Sequence, residues 1–210
     1  MLVARILWDG APFIMIRLFF DTETTGLPRR FGAKAEDLDA WSTARLVQLS
    51  WVLDRDGDLM SVGDLIVKPD GFLIPEEAQA VHGISTEKAL TEGVECKKAV
   101  YYFLGAARLA EEWVGHNIEF DLGVVGAELI RYWGKNYLFG MGGIRDTMKE
   151  SVDFCQIEKK GGYGGYKWPK LMELYVKLFG KEFEGAHDSM YDIKATRECF
   201  YELKKRGVIK

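Results

Sequence analysis

The sequence predicts an α/β fold, a mixed β-sheet flanked by α-helices, and the order of its elements carries that prediction. Three strand-like runs come first, helix-like stretches dominate thereafter, and short strand-like runs interrupt them, giving β-β-β-α-β-α-β-α-α. The first strand covers Arg17–Asp21, after which a polar, charged excursion runs from Pro28 to Ser42. Leu46–Leu53 reads as a buried strand, Asp56-Gly57 as a hairpin turn, and Leu59–Lys68 as the return strand. These three strands are expected to be antiparallel neighbours. Pro75-Glu76-Glu77 starts a helix, and Val94–Trp113 is expected to be a longer one. A short strand near Val114, a helix after Asn117 and a strand ending near Ile144–Asp146 follow. Helices over Lys170–Phe179 and Ser189–Lys205 close the chain.

At 210 residues, 48% hydrophobic and 29% charged, the chain is expected to be one ordinary soluble domain with a sizeable core and no internal repeat. Residues 15–210 are assigned to that domain, and 1–14 to a short extension or an upstream start. No apolar run reaches the ~20 residues of a membrane span. The opening stretch carries Arg5, Asp9 and Pro12 without a small-residue cleavage site, which argues against a signal peptide. Cys96, Cys155 and Cys199 form no C-x-x-C pair and are expected to be reduced structural thiols. On these grounds the location is expected to be cytoplasmic, with no membrane partner.

The chemistry begins at Phe20-Asp21-Thr22-Glu23-Thr24-Thr25-Gly26-Leu27. Residues i and i+2 of a strand share a face, so Asp21 and Glu23 would stand side by side. Adjacent carboxylates repel unless a cation lies between them, and hard oxygen ligands favour Mg²⁺ or Mn²⁺. The alternative is an acidic turn at a strand exit. A second constellation is Gly115-His116-Asn117-Ile118-Glu119-Phe120-Asp121, in which Asn117 and Asp121 would share a helix face. A third is His187-Asp188-Ser189-Met190-Tyr191-Asp192, a His ahead of a helix with an acid five residues on. Each has a plainer alternative: Asn117 as a helix cap, Asp188 as another, and the His as a surface residue. Asp146 before Thr147 also reads as a cap, and His116 as structural.

Together these stretches resemble the DEDDh (DnaQ-like) family of 3′-to-5′ exonucleases, which includes the proofreading epsilon subunit of bacterial DNA polymerase III. Acid-x-acid-x-Thr-Gly matches Asp21 and Glu23; Asn-x-x-Phe-Asp matches Asn117, Phe120 and Asp121; His-x-x-x-x-Asp matches His187 and Asp192. Val81-His82-Gly83-Ile84-Ser85 is a softer match. The resemblance runs from about Arg17 to Leu203. It implies a ribonuclease H-like fold with two Mg²⁺ or Mn²⁺ held by Asp21, Glu23, Asp121 and Asp192, and His187 as general base. It further implies substrate contacts at Thr24, Leu27, His82, Asn117 and Phe120. His82 has the alternative of stabilising only its own turn.

Phosphodiester hydrolysis needs an activated water, charge neutralisation on phosphate and help for a departing 3′-oxygen, which two divalent ions about 3.5–4 Å apart can supply. Imidazole titrates near neutral pH, which suits His187 to proton transfer. The formal net charge is −4, and neutralising four ligand acids with metal brings it to zero. The remaining basic stretches are Arg29-Arg30, Lys159-Lys160 with Lys167 and Lys170, and Lys204-Lys205-Arg206. Binding is therefore expected to be weak and directed to an end. The resemblance of Asp21-Thr22-Glu23-Thr24-Thr25-Gly26-Leu27 to the proofreading branch implies single-stranded DNA or a frayed DNA 3′ end as substrate. RNA is the alternative, through a trimming or oligoribonuclease-type enzyme. A non-catalytic nucleic-acid-binding or polymerase-docking module is the third reading. A DNA polymerase or repair partner is an expectation of the resemblance. The lack of a tail after Lys210 suggests instead action alone.

One feature stands outside these motifs. Gly161-Gly162-Tyr163-Gly164-Gly165-Tyr166-Lys167-Trp168-Pro169 is not a P-loop, since no Gly-Lys-Ser/Thr follows. Its aromatics could stack bases. The favoured expectation is a flexible loop anchored by Trp168 against the core.

Overall fold

The computed structural model describes residues 14–138, 140, 142–159, 161 and 164–210. The proposed extension, residues 1–14, lies outside them except for Ile14, as do Lys160, Gly162 and Tyr163 of the glycine-rich loop.

The sheet is built around β1 (Ile16–Thr24), whose apolar alternation serves both faces. Leu18 and Phe20 point into one core and Phe19 into the other. β2 (Leu46–Arg55) pairs antiparallel with β1, and β3 (Asp58–Lys68) antiparallel with β2. Asp56 (φ 49°) and Gly57 (φ 101°) make the two-residue turn between them, both in the left-handed region that such a hairpin requires. On the other side of β1, β5 (Glu112–Gly115) runs parallel, as does β6 (Gly143–Asp146) beyond it. A two-residue strand, β4 (Val94–Glu95), pairs with the end of β3. The order is β4-β3-β2-β1-β5-β6, the expected mixed sheet.

Helices α1 (Glu76–His82) and α2 (Thr86–Glu92) follow β3, and α3 (Cys96–Ala107) follows β4. The expected continuous helix over 94–113 is corrected here: its ends are strands β4 and β5, and only its middle is helical. The stretch is apolar without a Pro or Gly to break it until Gly105, so its periodicity conceals both strand ends. α4 (Ile118–Trp133) covers one face of the sheet with α3. After β6 come two single turns, α5 (Thr147–Glu150) and α6 (Val152–Cys155), then α7 (Leu171–Phe179) and α8 (Ser189–Lys205) on the opposite face. The three cysteines are buried and free, as expected. No helix among the described residues is long and apolar enough to cross a membrane.

Two buried charges fix these layers. Asp54 on β2 is fully buried and accepts from Arg197 Nε at 2.7 Å and Tyr201 Oη at 2.7 Å, which ties α8 to the sheet. Glu128 on α4 is 1% exposed and takes Arg45 and Arg131 at 2.8 and 2.7 Å. α4 also approaches Trp41 closely through Gly123, where a Cβ would overlap the indole ring. Gly123→Ala is therefore expected to lower unfolding free energy by about 1–3 kcal/mol through overpacking. The check is the midpoint of urea denaturation, with an unchanged midpoint counting against this packing.

Candidate active site

At the carboxyl ends of β1, β5 and β6 the parallel strands stop in succession, which leaves a crevice where open α/β sheets bind ligands. Register pairing of β1 with β5 ends at Phe19↔Val114, so Asp21 and Glu23 lie beyond the last paired residue on that side. They are still held from the other side, opposite Ser50 and Gln48 of β2. The period of two puts them on one face, as the sequence implied, and the structure shows that face covered by α8.

α8 brings the third acid. Asp188 caps this helix by accepting from Met190 N at 3.0 Å, the role expected of it. Ser189 Oγ meets Ser50 Oγ at 2.5 Å, fixing the helix start against β2. One turn into α8, Asp192 joins Asp21 and Glu23: one carboxylate oxygen from each lies within 4.8 Å of the others. All three are half-buried, and none forms an ion pair with Lys or Arg among the described residues.

Asp121, the fourth acid, arrives from the opposite layer on α4 and is 3% exposed. Its Oδ1 accepts from Thr22 N at 3.0 Å and Thr22 Oγ1 at 2.7 Å, so the residue between the two motif acids anchors it. Of the four acids the resemblance names, three cluster tightly, and Asp121 stands beside that triad. It is near enough to disturb Asp21 and Glu23 electrostatically. The helix starts at Ile118 rather than Asn117, which adopts φ 70° and caps nothing with its side chain. Its N–H donates to Asp146 Oδ1 at 2.9 Å, and the same oxygen caps α5 through Met148 N at 3.0 Å.

Burial and mutual repulsion push these acids up. The Asp21 carboxyl is held well above its ordinary value, by burial first and then by Asp121, Glu23, Asp192 and Asp188. Glu23 is raised to about 8, by burial and then by Asp192, Asp121 and Asp188. Asp121 is raised to about 7 by burial, against the opposing pull of the two Thr22 bonds. Asp192 is raised to about 6 by burial, with the His187 backbone N–H opposing. Such a set of oxygen donors, short of positive charge, fits hard divalent cations.

His187 precedes α8 in the left-handed conformation, φ 71°, and donates its backbone N–H to Asp192 Oδ2 at 3.2 Å. Its side chain is exposed. Gly185, at φ 75°, lets the preceding turn lie flat on the Tyr191 ring, where any Cβ would collide.

The proposed substrate residues divide. Leu27 is 62% exposed and lines a groove of about 530 Å³ with Thr25, Gly26, Phe72, Leu73 and Val81. Arg45 lies over the Phe72 ring in that groove at 4.4 Å. Thr24 spends its hydroxyl on Gly26 O at 2.8 Å. His82 Nδ1 accepts from Ile84 N at 3.1 Å, the turn-stabilising role named as its alternative. Burial lowers its pKa, and the ring's approach to the Thr24 backbone carbonyl acts against that. Phe120 turns toward Trp41, ring centroids 6.0 Å apart, and is partly core. His116 is structural as expected, bonded to Thr147 Oγ1 and Pro169 O at 3.0 Å each. Arg29 and Arg30 are not a free basic patch, because both pair with Asp39 and Arg30 also with Asp37. Sequence reading missed Thr22 and Ser50, whose partners lie far away in the chain.

A mixed sheet whose parallel strand ends gather carboxylates defines a ribonuclease H-like nuclease domain. The family model RNase_T, described as an exonuclease, matches residues 18–200, and the chain belongs to this family of DEDDh, DnaQ-like exonucleases. It is 28% identical over 198 residues to the protein described as uncharacterized exonuclease CP81 of Escherichia phage 186, covering 91% of this chain and 89% of that one. Among solved structures, E. coli exonuclease I in complex with a dT13 oligonucleotide superposes with a TM-score of 0.70 at 21% identity over 91% of this chain. The apo form gives 0.68 at 19% identity. This chain spans only 41% of the exonuclease I chain in that dT13 complex, and at such identity the likeness is one of fold.

The raised acids make stability depend on pH. In metal-free protein the folded state binds the Glu23 proton more tightly than the unfolded state does. Stability therefore falls as pH rises from the ordinary glutamate value near 4.5 to about 8. Glu23→Gln is expected to melt above wild type at pH 8 in EDTA, with the gap closing on acidification toward 4.5. Mg²⁺ at the upper pH should raise the wild-type melting temperature more than the variant's. A gap that widens on acidification would contradict the repulsion described.

Proposed function

We propose that this exonuclease is metal-dependent and removes nucleotides in the 3′-to-5′ direction from single-stranded or frayed DNA ends. The observation that carries the reading is the half-buried triad Asp21, Glu23 and Asp192, without a cationic partner among the described residues and with His187 tethered beside it. Together with Asp121, these carboxylates would hold two divalent ions, Mg²⁺ or Mn²⁺ by the hardness of their oxygens. Bound there, the ions supply a water of lowered pKa and neutralise charge on the scissile phosphate and departing oxygen.

The chain's own groups do the rest. Thr22 holds Asp121 at the depth where its remaining oxygen can serve the site. His187 accepts the proton of the attacking water at an imidazole nitrogen, from an exposed position that lets it exchange that proton with solvent. The water oxygen bonds to phosphorus as the P–O bond to the preceding nucleoside breaks, and the departing 3′-oxygen takes a proton from solvent water to leave as a hydroxyl. The groove beside Leu27, opening directly after the motif acids, suits the terminal bases. Support for DNA comes from the fold neighbours, since exonuclease I is described with bound dT13 and dA16 oligonucleotides. A zinc-bound form of its single-stranded DNA complex supports a metal in this fold.

The test uses 5′-labelled single-stranded DNA and RNA of one sequence, with Mg²⁺, Mn²⁺ or EDTA. Wild type is expected to produce a metal-dependent ladder shortening from the 3′ end, faster on DNA. His187→Ala should lower the rate by about 10²–10⁴, and Asp192→Ala by more, with weaker metal binding by calorimetry. Digestion that persists in EDTA or in Asp192→Ala would refute the mechanism. Faster loss of RNA would redirect the substrate.

A further inference from the structure

The glycine-rich loop does not behave as its sequence suggested. Trp168 is not anchored in the core: it is 62% exposed, whereas Trp41, Trp51 and Trp113 are between 0% and 6% exposed. Among the described residues it makes no hydrogen bond or ring contact. The backbone on either side of it is nevertheless tied down. Glu158 and Tyr166 form an antiparallel bridge, and Lys167 N donates to Ile157 O at 2.8 Å. Lys167 Nζ reaches both Glu173 oxygens at 2.6 and 2.7 Å. On the other side, Pro169 O meets His116 Nε2 at 3.0 Å, and Lys170 N donates to Glu173 Oε2 at 2.7 Å.

The fold therefore holds a large aromatic ring out of the core on an immobilised segment, against the hydrophobic gain that burial would bring. The segment's position is informative. His116 immediately follows β5 and precedes Asn117, whose N–H is held by Asp146 at the end of β6. Trp168 thus belongs to the same strand-end rim as the carboxylates, flanking the α4 start, whereas Leu27 and its groove adjoin the end of β1. Charge also matters. The chain carries −4 overall, and Lys167 is already neutralised by Glu173, which leaves Lys159 and Lys170 without an ion pair among the described residues to meet phosphate on this side. Stacking needs no net charge and accepts any base, because every base has a π face.

We propose that Trp168 is a stacking platform for a base of the unpaired strand that the carboxylate site processes. This rests on the nuclease reading above and adds a substrate contact outside the acidic motifs.

The experiment measures binding of a fluorescein-labelled oligothymidylate by anisotropy in EDTA, where hydrolysis is expected to stop. An abasic strand of the same length runs in parallel. Trp168→Ala should weaken oligothymidylate binding by roughly tenfold, in line with the loss of one stacked base, and leave the abasic strand's affinity nearly unchanged. Trp168→Phe should recover most of the loss, and in turnover the effect should appear in KM rather than kcat. Three results overturn the proposal: no change in Trp168→Ala, equal losses on both strands, or a Phe variant as poor as Ala with a lowered melting temperature. Trp168-dependent binding in a wild type that hydrolyses neither strand would sink the nuclease reading and leave this one standing.

Discussion

Three carboxylates with oxygens within 4.8 Å of one another, half-buried and without a Lys or Arg partner among the described residues, repel each other, and the fold must hold them in place against that repulsion. It does so with neighbours that are themselves fixed. Asp21 and Glu23 are locked by the β1–β2 ladder, in which every side chain position is set by register. Asp192 is locked because α8 is pinned at two places, by Ser189 against Ser50 and by Arg197 and Tyr201 against buried Asp54. Asp121 is locked by Thr22, which sits between the two acids it must accompany. Preorganisation of this kind favours catalysis, since charge need not be rearranged when substrate arrives.

The same arrangement explains why elements from both layers are needed. β1 presents alternate residues to opposite faces, so its acids look toward α8 while Thr22 looks toward α4. A single strand thereby joins two helical layers around one crevice. Asp146 does comparable service at β6, where one oxygen holds both the start of α4 and the cap of α5. Its other oxygen is buried without a hydrogen bond among the described residues, an arrangement that adds to the local negative charge felt by Asp121.

Much of this was legible in the sequence where the governing physics is local. The period of two in Asp21-Thr22-Glu23 and the Asp188 cap that begins α8 at Ser189 are decided by neighbouring residues. The hairpin at Asp56-Gly57 is of the same kind. What could not be read depends on distant partners. Thr22 and Asp121 are 99 residues apart, and Ser50 and Ser189 are 139 apart, so no spacing rule links them. The strand character of both ends of Val94–Trp113 comes from pairing, Val94 with Val67 and Trp113 with Leu18, and pairing with distant residues leaves no local signal. Trp168 shows the converse: aromatic residues are ordinarily assigned to cores, and only the ties at Lys167 and Pro169 reveal that this one is kept outside.

The order of β1, α4 and α8 along the chain has a bearing on biosynthesis. Domains emerge from the ribosome amino end first. Strand β1, with Asp21 and Glu23, emerges first, Asp121 follows much later with α4, and His187 and Asp192 emerge after both. The β1–β5 pairing is likewise long-range, joining Arg17 to Glu112, and such contacts form slowly. A nascent chain that has not reached α8 therefore carries these acids dispersed. The carboxylate cluster is completed only once Asp192 has emerged, a delay that follows from the order of these elements alone.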